Sequence, residues 1–267
     1  MTLAKQYGTA DKLKDRIALH ERYGPAQEPF HAWMLRQVQA PPTANVLEVG
    51  CGSGYFWVVN ARQVPKGWTL TLTDQSAGMV SEARANLEAA GVKAGFGIHS
   101  VADLPFADAS FDVAFANHML YHAEDVDAAI AELRRVIKPG GRLYAATNGK
   151  NHMKQLHDDL QPLSRAVPGL EVRSYDVGRF SLDTGERLLR GYFDDVRVFD
   201  RRDRLVVNDL EPYVRYILSM VDSPIEEAIL TSEQAARGFE AWRHGLATRF
   251  AKAPVQVDRV TGFFEAF

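Results

Sequence analysis

The chain has 267 residues, 46% of them hydrophobic and 24% charged, with a formal net charge of -3 and a pI near 6.2. That is an ordinary globular balance, and it supplies no electrostatic reason to expect a nucleic-acid partner. A single cysteine, Cys51, excludes an internal disulfide and any multi-thiolate metal or redox centre, and no apolar run reaches the ~18–20 residues that span a membrane. The first residues, Met-Thr-Leu-Ala-Lys-Gln-Tyr, contain no apolar signal region, so a soluble cytoplasmic protein is expected.

In chain order, residues 9–22 carry an approximate helical stripe through Leu13, Ile17, Ala18 and His20, ended by Gly24-Pro25. A second helix is predicted from Pro29 to Val38, with Phe30, Trp33, Met34 and Val38 on one face. Together they form an expected N-terminal helical cover, residues 1–40, in which Tyr7, His20, Tyr23 and Trp33 are candidates to line a pocket. After Pro41-Pro42, residues 46, 47 and 49 read as a strand buried on both faces and interrupted by Glu48. Gly50, Gly52 and Gly54 follow at alternate positions, a strand, a tight turn and a helix start of the kind found at nucleotide-type sites. Tyr55 stands where a dinucleotide fingerprint needs a small residue.

A core helix is predicted over Tyr55–Arg62 and a second strand over Trp68–Thr73. Asp74, with Gln75 beside it, lies 20 residues past Gly54, where a doubly wound fold places a carboxylate against ribose hydroxyls. Asp74 or Ser76 also suits the cap of a helix over Ala77–Ala90, closed by Gly91. A third strand is predicted over Gly95–Val101. Ala102-Asp103-Leu-Pro-Phe follows, and then Ser110-Phe-Asp-Val opens a fourth strand. Asn117-His-Met-Leu-Tyr-His122 comes directly after it, at the strand end where open parallel sheets bind ligands. His118 and His122, at i and i+4, are expected to share a helix face. The absence of a Glu-x-x-His context argues for a proton-handling or orienting role over a metal pair. An amphipathic helix over Val126–Ile137, a Pro139-Gly-Gly stop and a fifth strand over Arg142–Thr147 complete this half.

The Glu48-x-Gly-x-Gly-x-Gly stretch, Asp74, the Asp103-Leu-Pro-Phe loop and Ser110-Phe-Asp-Val resemble, at the right mutual spacing, the motifs of class I S-adenosylmethionine (SAM)-dependent methyltransferases. The resemblance covers residues 43–147. It implies a doubly wound, seven-stranded, mostly parallel α/β sheet with an antiparallel last strand. It also implies that SAM binds over Gly50, Cys51, Gly52 and Gly54, with S-adenosylhomocysteine as product. Glu48 and Asn117 would face the methionine end, Asp74 the ribose, and Met79, Ala102 and Asp103 the adenine, with Gln75 also among the cofactor contacts. His118, Tyr121 and His122 would face the acceptor, and no metal is expected.

Beyond Thr147 no motif decides. Residues 41–150 are read as the SAM-binding core and 151–208 as the C-terminal part of the sheet. Residues 209–252 are read as a helical insertion or cap, with Tyr213, Tyr216, Met220, Trp242 and His244 as acceptor-pocket candidates. Residues 253–267 are read as a final edge strand with a bulge at Gly262, and Asp200-Arg-Arg-Asp-Arg as a solvated turn. The expected function is methyl transfer to a small metabolite or natural product, by a monomer or homodimer without nucleic-acid or membrane partners. Two other classes stay open: modification of tRNA or protein, and SAM binding without methyl transfer, either cyclisation of the aminobutyryl chain or regulation.

Overall fold

The computed structural model describes residues 18–25, 28–167, 170, 177–221 and 232–267. Tyr7, most of the predicted first helix and Asp222–Pro224 lie outside them. Residues 18–23 are helical. After them come α1 (Phe30–Gln37), β1 (Thr43–Val49), α2 (Tyr55–Val59), β2 (Gly67–Asp74), α3 (Ala77–Ala89) and β3 (Ala94–Ile98). Then follow β4 (Phe111–Asn117), a 3-10 turn (Leu120–His122), α4 (Val126–Val136), β5 (Ile137–Asn148) and α5 (Lys154–Ala166). The chain closes with α6 (Gly185–Leu189), β6 (Val196–Val207), α7 (Leu210–Ser219), α8 (Glu233–Phe250) and β7 (Val255–Ala266).

The seven strands lie in the order β3-β2-β1-β4-β5-β7-β6. β1 pairs in parallel with β2 and β4, β2 with β3, and β4 with β5, whereas β7 is antiparallel to β5. The chain steps outward from β1 to β3 and returns to β4 at β1's other side. Strand order therefore reverses between β1 and β4, and their carboxyl ends are level, Val49 opposite Ala116. That is where an open sheet of this kind offers a crevice.

Alternation along the strands decides what faces what. Leu47 and Val49 of β1, with Ala114 and Ala116 of β4, enter one core with α4 residues Ile130 and Leu133. Val46, Val113 and Phe115 point the other way, into a core with Phe56 and Trp57 of α2 and Ala83 and Leu87 of α3. Glu48 and Asn117 fall on this second face by parity, which brings both polar groups to α2.

Three expectations are corrected. β7 is not an edge strand: it lies between β5 and β6, its backbone pairing with β5 on one side and, through Phe267 and Asp195, bonding beside β6 on the other. Gly262 pairs in register with Thr147, without a bulge. Asp200–Arg204 is not a turn but the middle of β6, where two adjacent charged side chains find partners: Arg259 pairs with Asp203, and Arg204 with Asp258.

Contacts divide the chain into two compact units. One takes in Met1–Gln27, Asn151–Tyr175 and Arg202–Val260, the other Glu28–Lys150, Asp176–Arg201 and Thr261–Phe267. The expected boundaries differ: residues 1–40 and 253–267 are each divided, and the 209–252 helices group with α5. In the first unit α5, α7 and α8 pack through Leu156, Leu160, Leu163, Ile217, Trp242 and Leu246. Asp159 joins the three helices. It accepts from Tyr213 Oη at 2.5 Å and Arg249 Nη1 at 2.7 Å, while its carbonyl accepts from Trp242 Nε1 at 2.8 Å. No helix among the described residues is long and apolar enough to cross a membrane.

Candidate active site

Every glycine of the loop after β1 has a left-handed backbone, with φ of 60°, 53° and 74° at Gly50, Gly52 and Gly54. Two of these positions differ in purpose. A Cβ on Gly54 would stand 2.4 Å from Leu87 Cδ1, so this glycine lets α3 approach α2. A Cβ on Gly52 would meet nothing within 4 Å, so its backbone faces open space. Asp74, at the end of β2, holds the loop: its Oδ2 accepts from Gly52 N–H at 3.0 Å and its Oδ1 from Ser76 N–H at 2.8 Å. Ser76, not Asp74, is the N-cap of α3, accepting from Met79 N–H at 3.3 Å. Cys51 N–H bonds to Thr73 carbonyl at 2.9 Å, and burial beside Glu48 and Asp74 pushes its thiol far up, away from reactivity.

Glu48 is only 1% exposed. Its Oε2 accepts from Trp57 Nε1 at 2.5 Å and its Oε1 from Asn117 Nδ2 at 2.8 Å. Burial outweighs these two bonds and lifts its pKa to about 7. Asn117 Oδ1, alongside, is buried and has no hydrogen-bond partner. A buried acceptor without a donor is costly, and a cationic amino group would satisfy it while facing the Glu48 carboxyl.

The 102–108 loop is tied to α4. Arg135 donates to the carbonyls of Leu104 (3.0 Å) and Phe106 (2.7 Å), and Glu132 accepts from Leu104 N–H at 3.1 Å. Asp103 and Ala102 stand exposed in this loop, with Ala102 N–H on Ser100 Oγ at 3.3 Å; Gln75 is exposed and Met79 buried. The open backbone at Gly52, the Asp74 carboxylate, the orphaned Asn117 oxygen and the exposed Asp103 are groups whose chemistry suits SAM.

His118 leaves β4 with a left-handed φ of 53°. It and His122 do not share a helix face, since only the single 3-10 turn Leu120–His122 forms there. Tyr121 and His122 pack ring against ring at 4.5 Å. Burial, with His122 nearby, lowers His118 to about 4, so its ring is neutral at working pH. The sequence reading missed His31. Its ring lies 6.2 Å from that of His118, and burial lowers it to about 3. The available signal was a histidine directly beside the apolar face of α1. Among the described residues no group of three or more His, Cys, Asp or Glu could hold a metal.

Trp33 packs on Phe263 at 5.3 Å, and the other described candidates belong to the other unit. Tyr213 is fully buried with its hydroxyl on Asp159, so it is a packing residue. Tyr23 donates to Asp209 at 2.8 Å. His20 packs near His152 and Tyr216, at 6.4 and 5.9 Å, and Arg259 Nη1 lies 3.2 Å from its Nδ1.

The reversal between β1 and β4, the glycine loop and its two acids give the chain the fold of class I SAM-dependent methyltransferases. Residues 47–145 match the family model described as methyltransferase domain. The chain is 33% identical over 168 residues to a malonyl-[acyl-carrier protein] O-methyltransferase of Erwinia pyrifoliae, covering 61% of this chain and 62% of that protein. It is 37% identical over 128 residues to a ubiquinone biosynthesis O-methyltransferase of Xanthomonas axonopodis, covering 45% and 52%. The chain thus spans about half to three fifths of the length of these curated relatives. Among solved structures, the YcgJ protein of Bacillus subtilis shares the fold, with a TM-score of 0.55 and 17% identity over 88% of this chain and 96% of that one. The [4+2]-cyclase SpnF shares it too, at 0.54 and 18% over 88% and 79%.

Proposed function

We propose that this protein moves the methyl group of SAM to an oxygen of a small-molecule acceptor. The observation that carries the reading is the pairing of an open glycine backbone at Gly52 with the orphaned Asn117 oxygen beside Glu48. SAM supplies an electrophilic methyl on a positive sulfur. The protein's part is alignment, dryness and a proton acceptor. In this reading Glu48 and Asn117 hold the amino-acid end, Asp74 with Gln75 the ribose, and Met79, Ala102 and Asp103 the adenine. His118, Tyr121 and His122 meet the acceptor. Oxygen is favoured because the relatives named above are O-methyltransferases, and a small acceptor because ubiquinone biosynthesis names one of them.

The test is product analysis after incubation with SAM and a panel of hydroxylated and carboxylated metabolites. S-adenosylhomocysteine together with a product 14 mass units heavier supports the reading. Methylthioadenosine would replace it with aminobutyryl-chain cyclisation, and binding without turnover would replace it with a regulatory role.

A further inference from the structure

His31 touches both sides of the place where strand order reverses. Its ring meets Tyr55, the first residue of α2, edge-on at 5.5 Å, Phe56 at 5.7 Å, and His118 at 80° and 6.2 Å. Phe30, its neighbour on α1, lies 5.6 Å from the His118 ring. The backbone beneath is fixed: Asn60 Nδ2, at the end of α2, donates to the His31 carbonyl at 3.1 Å and to that of Phe56 at 2.8 Å. His118 is held from its other side, its N–H on Ala146 carbonyl at 2.9 Å. Its left-handed backbone is strained for a residue with a Cβ. Strain of this kind, at the carboxyl end of a switch-point strand, directs attention to what the ring does there.

We propose that His31 is a positioning residue for His118: its ring, delivered by α1, fixes the His118 imidazole at the end of β4 and shuts water from it, so that the imidazole receives the acceptor's O–H. This rests on the methyl-transfer reading. In that step the hydroxyl proton passes to an imidazole nitrogen of His118, and an oxygen lone pair forms the new O–C bond. The methyl carbon–sulfur bond breaks with its electrons left on sulfur. Within this cluster His122, from the turn, acts electrostatically on His118, and His118 in turn on His31. The nearby acid of β1, Glu48, is held by Trp57 and Asn117, and β5 brings the Ala146 carbonyl.

The experiment follows the histidine ring resonances of the full-length protein by NMR between pH 4 and 8, with His118 assigned from His118→Gln. Calorimetry with S-adenosylhomocysteine is run on each variant. In the wild type His118 stays neutral above about pH 5. His31→Phe keeps a ring in place and leaves that midpoint where it is. His31→Gln and His31→Ala admit water and raise it by at least about one unit toward the ordinary 6.5. Either of the last two suffices if the other does not fold. Product affinity stays within about threefold throughout, because the His31 ring packs on the Tyr55, Phe56 and His118 rings, whereas the donor's amino-acid end and ribose fall to Glu48, Asn117 and Asp74. An unmoved His118 midpoint in the Gln or Ala variant overturns the proposal, as does an equal rise in the Phe variant. Failure of the wild type to bind S-adenosylhomocysteine would instead refute the methyl-transfer reading on which it stands.

Discussion

Asn117 Nδ2 donates to Glu48 Oε1 at 2.8 Å, joining side chains of the two strands between which the sheet reverses its order. Burial, working against this bond, raises Glu48 to about 7. Because the folded group binds its proton more tightly than the unfolded one, folding takes up a proton between pH ~4.5 and ~7, and stability falls as pH rises through that window. The penalty above pH 7 is roughly 3 kcal/mol. Glu48→Gln removes it: the new amide can donate to Asn117 Oδ1 once that side chain turns over. Thermal melts of this variant should be higher than wild type at pH 8 and no higher at pH 4.5. Its affinity for SAM should drop about tenfold or more, since the cationic end loses its carboxylate.

Gly52 and Gly54 should separate binding from stability. Gly54→Ala drives a methyl group to within 2.4 Å of Leu87 Cδ1 at a φ of 74°, so it should lose about 2–4 kcal/mol in denaturant unfolding. Gly52→Ala meets no neighbour and should lose only about 1–2 kcal/mol from its backbone angle. Calorimetry should nevertheless find the larger affinity loss in Gly52→Ala, whose methyl enters the open space. Equal affinity in Gly52→Ala and wild type would remove the cofactor from this loop.

Asp74 holds two backbone donors at once, Gly52 N–H and Ser76 N–H. Asp74→Ala strips both, along with the ribose acceptor, and should weaken S-adenosylhomocysteine more than tenfold. Asp74→Asn, with one acceptor oxygen, should fall between the two. If all three proteins bind alike, the ribose assignment is wrong.

Arg135 reaches the carbonyls of Leu104 and Phe106 while paired with Glu132. Arg135→Ala should speed amide exchange across 104–108 and weaken adenosine-containing ligands several-fold, with the rest of the β1 loop unchanged. Protection in that loop equal to wild type would show that Leu104 and Phe106 need no help from α4.

Tyr213→Phe removes one hydroxyl from a fully buried ring that donates to Asp159. It should cost about 1 kcal/mol of stability and nothing in affinity for S-adenosylhomocysteine.

The parts legible in the sequence were those where local chemistry dictates geometry. The apolar run with Glu48, the three glycines and Asp74 place themselves, since no other residue types make that turn or hold it. The strands through β5 follow for the same reason. What escaped was long-range pairing. Asp200–Arg204 looked like a solvated turn because its partners, Asp258 and Arg259, lie more than fifty residues on. β7 looked like an edge because pairing on its second side leaves no local mark. The i, i+4 spacing of His118 and His122 suggested a helix that a left-handed φ at His118 prevents. His31 carried no motif at all; only its nearness to Tyr55 and His118 singles it out.

The crossed ion pairs between β6 and β7 act as a lock against misalignment. Asp203 stands with Arg259 and Arg204 with Asp258, in opposite order along the two strands. A slip of one residue in one direction sets Arg204 beside Arg259; in the other it sets Asp203 beside Asp258. Either error confronts like charges and turns each side chain to the wrong face. The alternation of sign thus rejects both neighbouring alignments, a proofreading function that a row of uncharged residues with the same strand propensity would not provide.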